Sequence, residues 1–179
     1  MSGLRIVLAF FLAVPVTPVC AQTNSRPFRG EQTSFSAEDE GVRSPVRIPD
    51  DAWAVLKKKT STEIYLNGDD EKPAEPQRSW FSAAVVHLQD SKRNDLVIVG
   101  EEPLAGGNIV TFWVFLDTPS GMKLAATAGA HDLVVQRSRY KGVRTIKLYS
   151  MNCCEITTTW LRLERGEFRQ YRQVTKDIK

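Results

Sequence analysis

Cysteine is scarce in this chain, with three in 179 residues, at Cys20, Cys153 and Cys154. Histidine is scarcer, with only His87 and His131. These shortages exclude several classes of protein. A disulfide-stapled fold needs cysteines that are well separated. If Cys20 leaves with the N-terminal segment discussed below, only the adjacent pair remains, and the fold must stand on its core. Two isolated histidines, with no HExxH and no spaced thiolates, give a metal no ligand set. No G-x-S-x-G nucleophile elbow occurs. The one glycine pair, Gly106-Gly107, precedes a strand-like run and lacks the helix N-terminus that holds phosphate. No cofactor is expected.

A large charge of either sign is missing as well. The formal net charge is +3 and the isoelectric point about 8.8, too small an excess to read as a nucleic-acid footprint. The basic clusters Lys57-Lys58-Lys59 and Arg137 to Arg144 are expected to be solvated faces. Long hydrophobic runs are absent beyond the start of the chain. That start reads MSGLRIVLAFFLAVPVTPVCAQ. Arg5 makes a positive n-region, Ile6 to Val16 an apolar stretch, and Val19-Cys20-Ala21 a small-residue cleavage site, the order of a secretory signal peptide. The stretch is short of the ~20 apolar residues that span a bilayer. Residues 1–21 are therefore expected to be removed, and the chain to be periplasmic or extracellular and not membrane-spanning. A lipoprotein acylated at Cys20 ranks second, because Thr17, Pro18 and Val19 are poor matches to that signal.

Strand patterns dominate the rest. In NIVTFWVFLD, Asn108 to Asp117, Val110, Phe112, Val114 and Leu116 share one face while Ile109, Thr111, Trp113 and Phe115 share the other. Both faces are mainly apolar, as in a strand covered on two sides. Further strand-like runs are Thr62–Leu66, Trp80–Leu88, Asp95–Gly100, Met122–Thr127, Asp132–Gln136, Val143–Ser150, Ile156–Leu163 and Glu167–Tyr171, with turn signals such as Arg165-Gly166 between them. That rhythm predicts an antiparallel meander or sandwich. One short amphipathic helix is expected over Asp50–Lys59, with an acidic start and a lysine-rich last turn that suit the helix dipole. Residues 22–46 read as a flexible leader, residues 47–174 as the β-rich domain and 175–179 as a tail. The acidic loop Asn67 to Gln77 lacks the alternating oxygen ligands of a calcium site.

The segment HLQDSKRNDLVIVG, His87 to Gly100, resembles the hairpin repeat of VCBS/FG-GAP-type secreted proteins. That family's loop binds calcium through several carboxylates. The matching positions here are His87, Gln89, Ser91 and Asp95, of which only Asp95 is acidic, so the resemblance implies the hairpin without the metal. The order of parts is also similar to uncharacterised secreted bacterial β-rich proteins, through Phe112 to Phe115 and Trp160 to Phe168. It implies a fold type and no activity.

Few residues remain for chemistry. Cys153-Cys154, in SMNCCE, is expected near a hairpin tip, as a strained vicinal disulfide, a bridge to another chain, or buried free thiols. Glu101-Glu102 with Asp117, and Glu155 with Glu164, are the carboxylate pairs open to glycoside hydrolysis. Most aromatics should be core; a tryptophan exposed on a sheet face, Trp160 being the candidate, would point to glycan or peptide binding. The expected function is a non-enzymatic, envelope-associated binding module for a glycan or protein ligand, through Cys153, Cys154 and Trp160. The rival is a secreted hydrolase or thiol-redox protein. His131, Asp132 or Glu155 gathered with the cysteines in a concave pocket would favour the rival. An aromatic sheet face or open sheet edge would favour the module.

Overall fold

The computed structural model describes residues 30–39, 41–63 and 75–178. Two antiparallel sheets face each other. One contains β2 (Phe81–Val86), β3 (Asp95–Gly100), β4 (Val110–Thr118) and β5 (Gly121–Ala130), in that spatial order. The other runs β1 (Ser34–Ser36), β6 (Asp132–Tyr140), β7 (Val143–Met151), β8 (Glu155–Glu164), β9 (Glu167–Asp177). The protein is mainly β and sandwich-like, with one α-helix, α1 (Asp50–Glu63).

Period-two alternation sorts side chains between three layers. Phe112, Val114 and Leu116 of β4 enter the layer between the sheets, with Val97, Val99, Leu133, Ile146, Leu148, Leu161 and Phe168. Trp113 and Phe115 point the other way, into a second core closed by Ile48, Ala52 and Leu56 of the helical segment. The two-faced apolar strand of the sequence is thus the wall shared by both cores. Ile109 lies just outside β4 and is 49% exposed, so the apolar pattern overshoots the strand by one residue.

Short turns set the register. Lys141-Gly142 and Arg165-Gly166 both have two positive φ values, the backbone of a type I′ turn whose twist matches the β6–β7 and β8–β9 ladders. The chain crosses between sheets at His131, where β5 ends and β6 begins.

Several boundaries differ from the sequence reading; β5 runs on to Ala130 and β6 to Tyr140, beyond the expected Thr127 and Gln136. The helix continues to Glu63, so Lys57 to Lys59 lie inside it, away from its last turn. No glycine or proline follows until Gly68, and nothing local stops the helix at Lys59. The strand expected over Thr62–Leu66 is therefore helical at Thr62 and Glu63; Ile64 to Leu66 lie outside the described residues. The tail is largely β9, which runs to Asp177.

The leader also differs. Ser34–Ser36 pair with β6, and Phe35 is fully buried. Val46 donates to the Ala83 carbonyl at 2.9 Å, and the Val135 N–H to that of Thr33 at 2.8 Å. The described part of residues 22–46 is built into the sandwich because Phe35 and Val42 fill its inter-sheet core; Phe28 lies outside the described residues.

Candidate functional site

The two sheets are not covered alike. The four-stranded sheet has α1 packed on its outer face. Among the described residues no helix lies on the outer face of the five-stranded sheet. Ile146, Leu148 and Leu161 of β7 and β8 point into the core, so the alternating Lys147, Tyr149 and Trp160 stand on the bare side.

On that side, cations sit on aromatic rings. Register places Lys147 opposite Trp160, and Trp160 opposite Arg172, forming one row across β7, β8 and β9. The Arg172 guanidinium lies 4.6 Å from the Trp160 ring centroid, and Lys147 Nζ lies 5.3 Å from the same ring and 4.6 Å from Tyr149. Next to it Arg162 lies 4.4 Å from the Tyr140 ring and 5.2 Å from that of Tyr171. A register shift in β9 after Trp160 produces the second group. Trp160 pairs with Arg172 and Leu161 with Gln170, leaving Tyr171 as the extra residue of a bulge, 43% exposed beside Arg162. Arg162 also bonds Glu164 at 2.7 Å, and that carboxylate holds the guanidinium proton more firmly still. Among the described residues neither Lys147 nor Arg172 has a carboxylate partner.

Cys153 and Cys154 occupy the β7–β8 tip as expected. The Asn152 side-chain oxygen accepts from the N–H groups of Cys154 at 3.1 Å and Glu155 at 2.8 Å, an Asx turn that shapes the tip. Both cysteines are free and exposed, correcting the expectation that free thiols would be buried. Their sulfurs are 3.1 Å apart. The contact with Cys153 pushes the Cys154 thiol up, which disfavours the thiolate that redox and nucleophilic chemistry require.

The groups that would favour an enzyme are scattered. His131 bonds Asp132 through Nδ1 at 3.0 Å, and its Nε2 lies 3.7 Å from Glu38. His131 reaches the sheet through its N–H, which donates to the Tyr149 carbonyl at 2.7 Å. This places it near the same end of the sheet as the cysteines, with no bond joining them. Glu155 and Glu164 are the first and last residues of β8, about 30 Å apart at the usual strand rise, far beyond the ~5–10 Å of a glycosidase pair. Glu101 follows the end of β3 and Asp117 lies near the opposite end of that ladder, roughly 20 Å away.

Two further features were invisible in the sequence. Asp95, the surviving acid of the hairpin motif, is fully buried. Its Oδ2 accepts from the N–H groups of Leu88 at 2.9 Å and Gln89 at 3.0 Å, and its Oδ1 from the Asp117 N–H at 2.9 Å and the Gln89 amide at 2.7 Å. Burial pushes its carboxyl up against the pull of these donors. Both oxygens are engaged in tying the β2–β3 loop to the end of β4. Among the described residues no three His, Cys, Asp or Glu side chains converge as a metal site. The second feature is Arg144, 5% exposed and paired with Glu31, which corrects the expectation that Arg137 to Arg144 is a solvated cluster.

Two shallow clefts flank this region. One, of about 230 Å³, runs between Gln32, Arg43, Val46, Ala84 and His87; the other, of about 410 Å³, between Thr33, Val134, Arg137 and Ser138. Neither contains a cysteine or His131. Among the described residues no helix is long and apolar enough to cross a membrane. No protein-family model matches the chain, and comparison with curated proteins and with solved structures likewise yields no match.

Proposed function

We propose that the chain is an exported, non-enzymatic binding module that holds an envelope or extracellular ligand on the outer face of its five-stranded sheet. The observation that carries the reading is the asymmetry of the sandwich. One sheet is sealed by α1, while the other presents Trp160, Tyr171, Tyr149 and Tyr140 interleaved with Lys147, Arg162 and Arg172. A solvated sheet face needs no such load of aromatic surface, and aromatic and arginine side chains are enriched where proteins bind. Export rests on the order of charge, apolar run and small residues in positions 1–21. The cysteine tip borders this face and stays a secondary contact in the proposal.

The rival, a hydrolase or thiol-redox protein at Cys153-Cys154, has the sulfur contact in its favour. Against it stand the raised Cys154 thiol, the exposed tip and the separated carboxylates.

The test uses the protein recovered from its native host. Mass spectrometry should find a chain beginning at Gln22 outside the cytoplasm, and envelope polymers should retain it. Trp160→Ala combined with Arg172→Ala should abolish retention at unchanged melting temperature. A cytoplasmic, unprocessed chain would sink the export reading, and undiminished retention of the double variant would sink the face.

A further inference from the structure

Resting on that reading, we infer that the ligand is an acidic polysaccharide, a linear sugar polymer carrying carboxylates, laid across the strands along the row Lys147–Trp160–Arg172. The arrangement of rings and cations is what selects this class. A neutral glycan, or the bases of a single-stranded nucleic acid, would be held by stacking on free ring faces. Here the Trp160 ring has Arg172 at 4.6 Å and Lys147 at 5.3 Å, and Tyr140 has Arg162 at 4.4 Å. The rings serve as platforms that fix the cations, and an incoming molecule meets charge first.

Within the row the charges available for an anion are Lys147 and Arg172, which have no carboxylate partner among the described residues. They flank Trp160 on the strands to either side, so their backbones stand about 10 Å apart, two inter-strand spacings. Two anchors with an aromatic edge between them suit a chain whose carboxylates recur with a sugar ring between. Arg172 supplies the planar fork that grips a carboxylate, Lys147 a point charge, and Trp160 an apolar edge for sugar C–H groups. Arg162, already bonded to Glu164, is a weaker third contact. Pinning on the rings removes part of the rotamer entropy that long side chains otherwise lose on binding.

The experiment is isothermal titration of the mature chain with polygalacturonate, with neutral dextran, single-stranded DNA and poly-L-glutamate as comparators. The expected result is binding of polygalacturonate alone among the four, weakening as salt rises. Lys147→Ala/Arg172→Ala should weaken it at least tenfold with the melting temperature unchanged, and Arg172→Lys by less. Salt-insensitive dextran binding that Trp160→Ala abolishes would overturn the acidic ligand while leaving the face as the site. Tighter binding of DNA or poly-L-glutamate, or no binding of polygalacturonate, would overturn the inference. Polygalacturonate binding that the double variant leaves unchanged would overturn both the inference and the face.

Discussion

Glu31 and Arg144 meet in the interior through contacts of 2.9 and 3.1 Å, although 113 residues separate them. Their side chains are 3% and 6% exposed. Neither charge is left wanting a partner. Glu31 also accepts the His87 N–H at 2.8 Å, and Arg144 donates to the Gln136 carbonyl at 2.8 Å and the Val135 carbonyl at 3.3 Å. The pair clamps the segment before β1 to the start of β7.

Glu31→Ala should therefore destabilise the protein by about 3–5 kcal/mol, the usual consequence of orphaning a buried charge. Replacing both residues, as Glu31→Leu/Arg144→Met, should recover part of the loss but not all, because the His87 N–H and two carbonyls would lose partners. Urea unfolding of the three proteins gives the comparison. A loss under 1 kcal/mol for Glu31→Ala would show that the segment is not part of the cooperative unit.

Asp51 joins the helix to the β4–β5 turn. Its carboxylate accepts the Met122 N–H at 2.6 Å and the Ala52 N–H at 2.8 Å, and the Met122 bond holds the carboxyl below the usual range. A lowered acid stabilises the fold at neutral pH and keeps doing so where an ordinary aspartate protonates. The contribution is lost as pH falls through its own lower value. Asp51→Asn should be less stable than the parent at pH 7, with the gap closing at strongly acid pH. Melting curves from pH 7 to 2 check this, and a gap that widens on acidification would contradict it. Gly121 belongs to the same joint, since its φ is 105° and a Cβ there would lie 2.6 Å from the Asp51 carboxylate.

Asp95→Asn is expected to cost about 2–5 kcal/mol, far more than its near-isosteric shape suggests. Both oxygens accept two N–H groups each. An amide keeps one acceptor and turns its own N–H groups on the other two donors, at roughly 1–3 kcal/mol per unsatisfied group. Chemical denaturation provides the value; a near-neutral result would mean that the loop between β2 and β3 rearranges to follow the amide.

The cysteines should behave as surface groups for stability and as a pair for reactivity. Cys153→Ala and Cys154→Ala should each leave the melting temperature essentially unchanged, as surface substitutions away from packed or bonded features do. Because the Cys153 contact raises the Cys154 thiol, Cys153→Ala should speed alkylation of Cys154 near neutral pH. Timed labelling with iodoacetamide measures it, and an unchanged or slower rate would mean that the contact does not control the thiol.

The cores were readable before the structure because burial writes a local pattern. Phe112, Val114 and Leu116 alternate with Trp113 and Phe115 within a few residues, and alternation on both faces already meant two covered faces. Arg165-Gly166 marked its turn for a similarly local reason, the positive φ that glycine tolerates. Cys153-Cys154 was legible as a tip but not in its exposure. The leader was misread since a three-residue strand has too few positions to show a period, and its anchors Phe35 and Val42 stand seven residues apart with no pattern between them.

The sequence by itself determined the class of fold, the doubly covered central strand and turns such as Arg165-Gly166, all set by side chains within a few residues of one another. Tertiary structure alone decided which sheet face α1 seals, that Arg144 is buried against Glu31, and that Lys147, Trp160 and Arg172 share one row. Those neighbours belong to different strands. Register and the β9 bulge choose them, and both arise from the packing of the whole sheet, beyond the reach of any local run of residues.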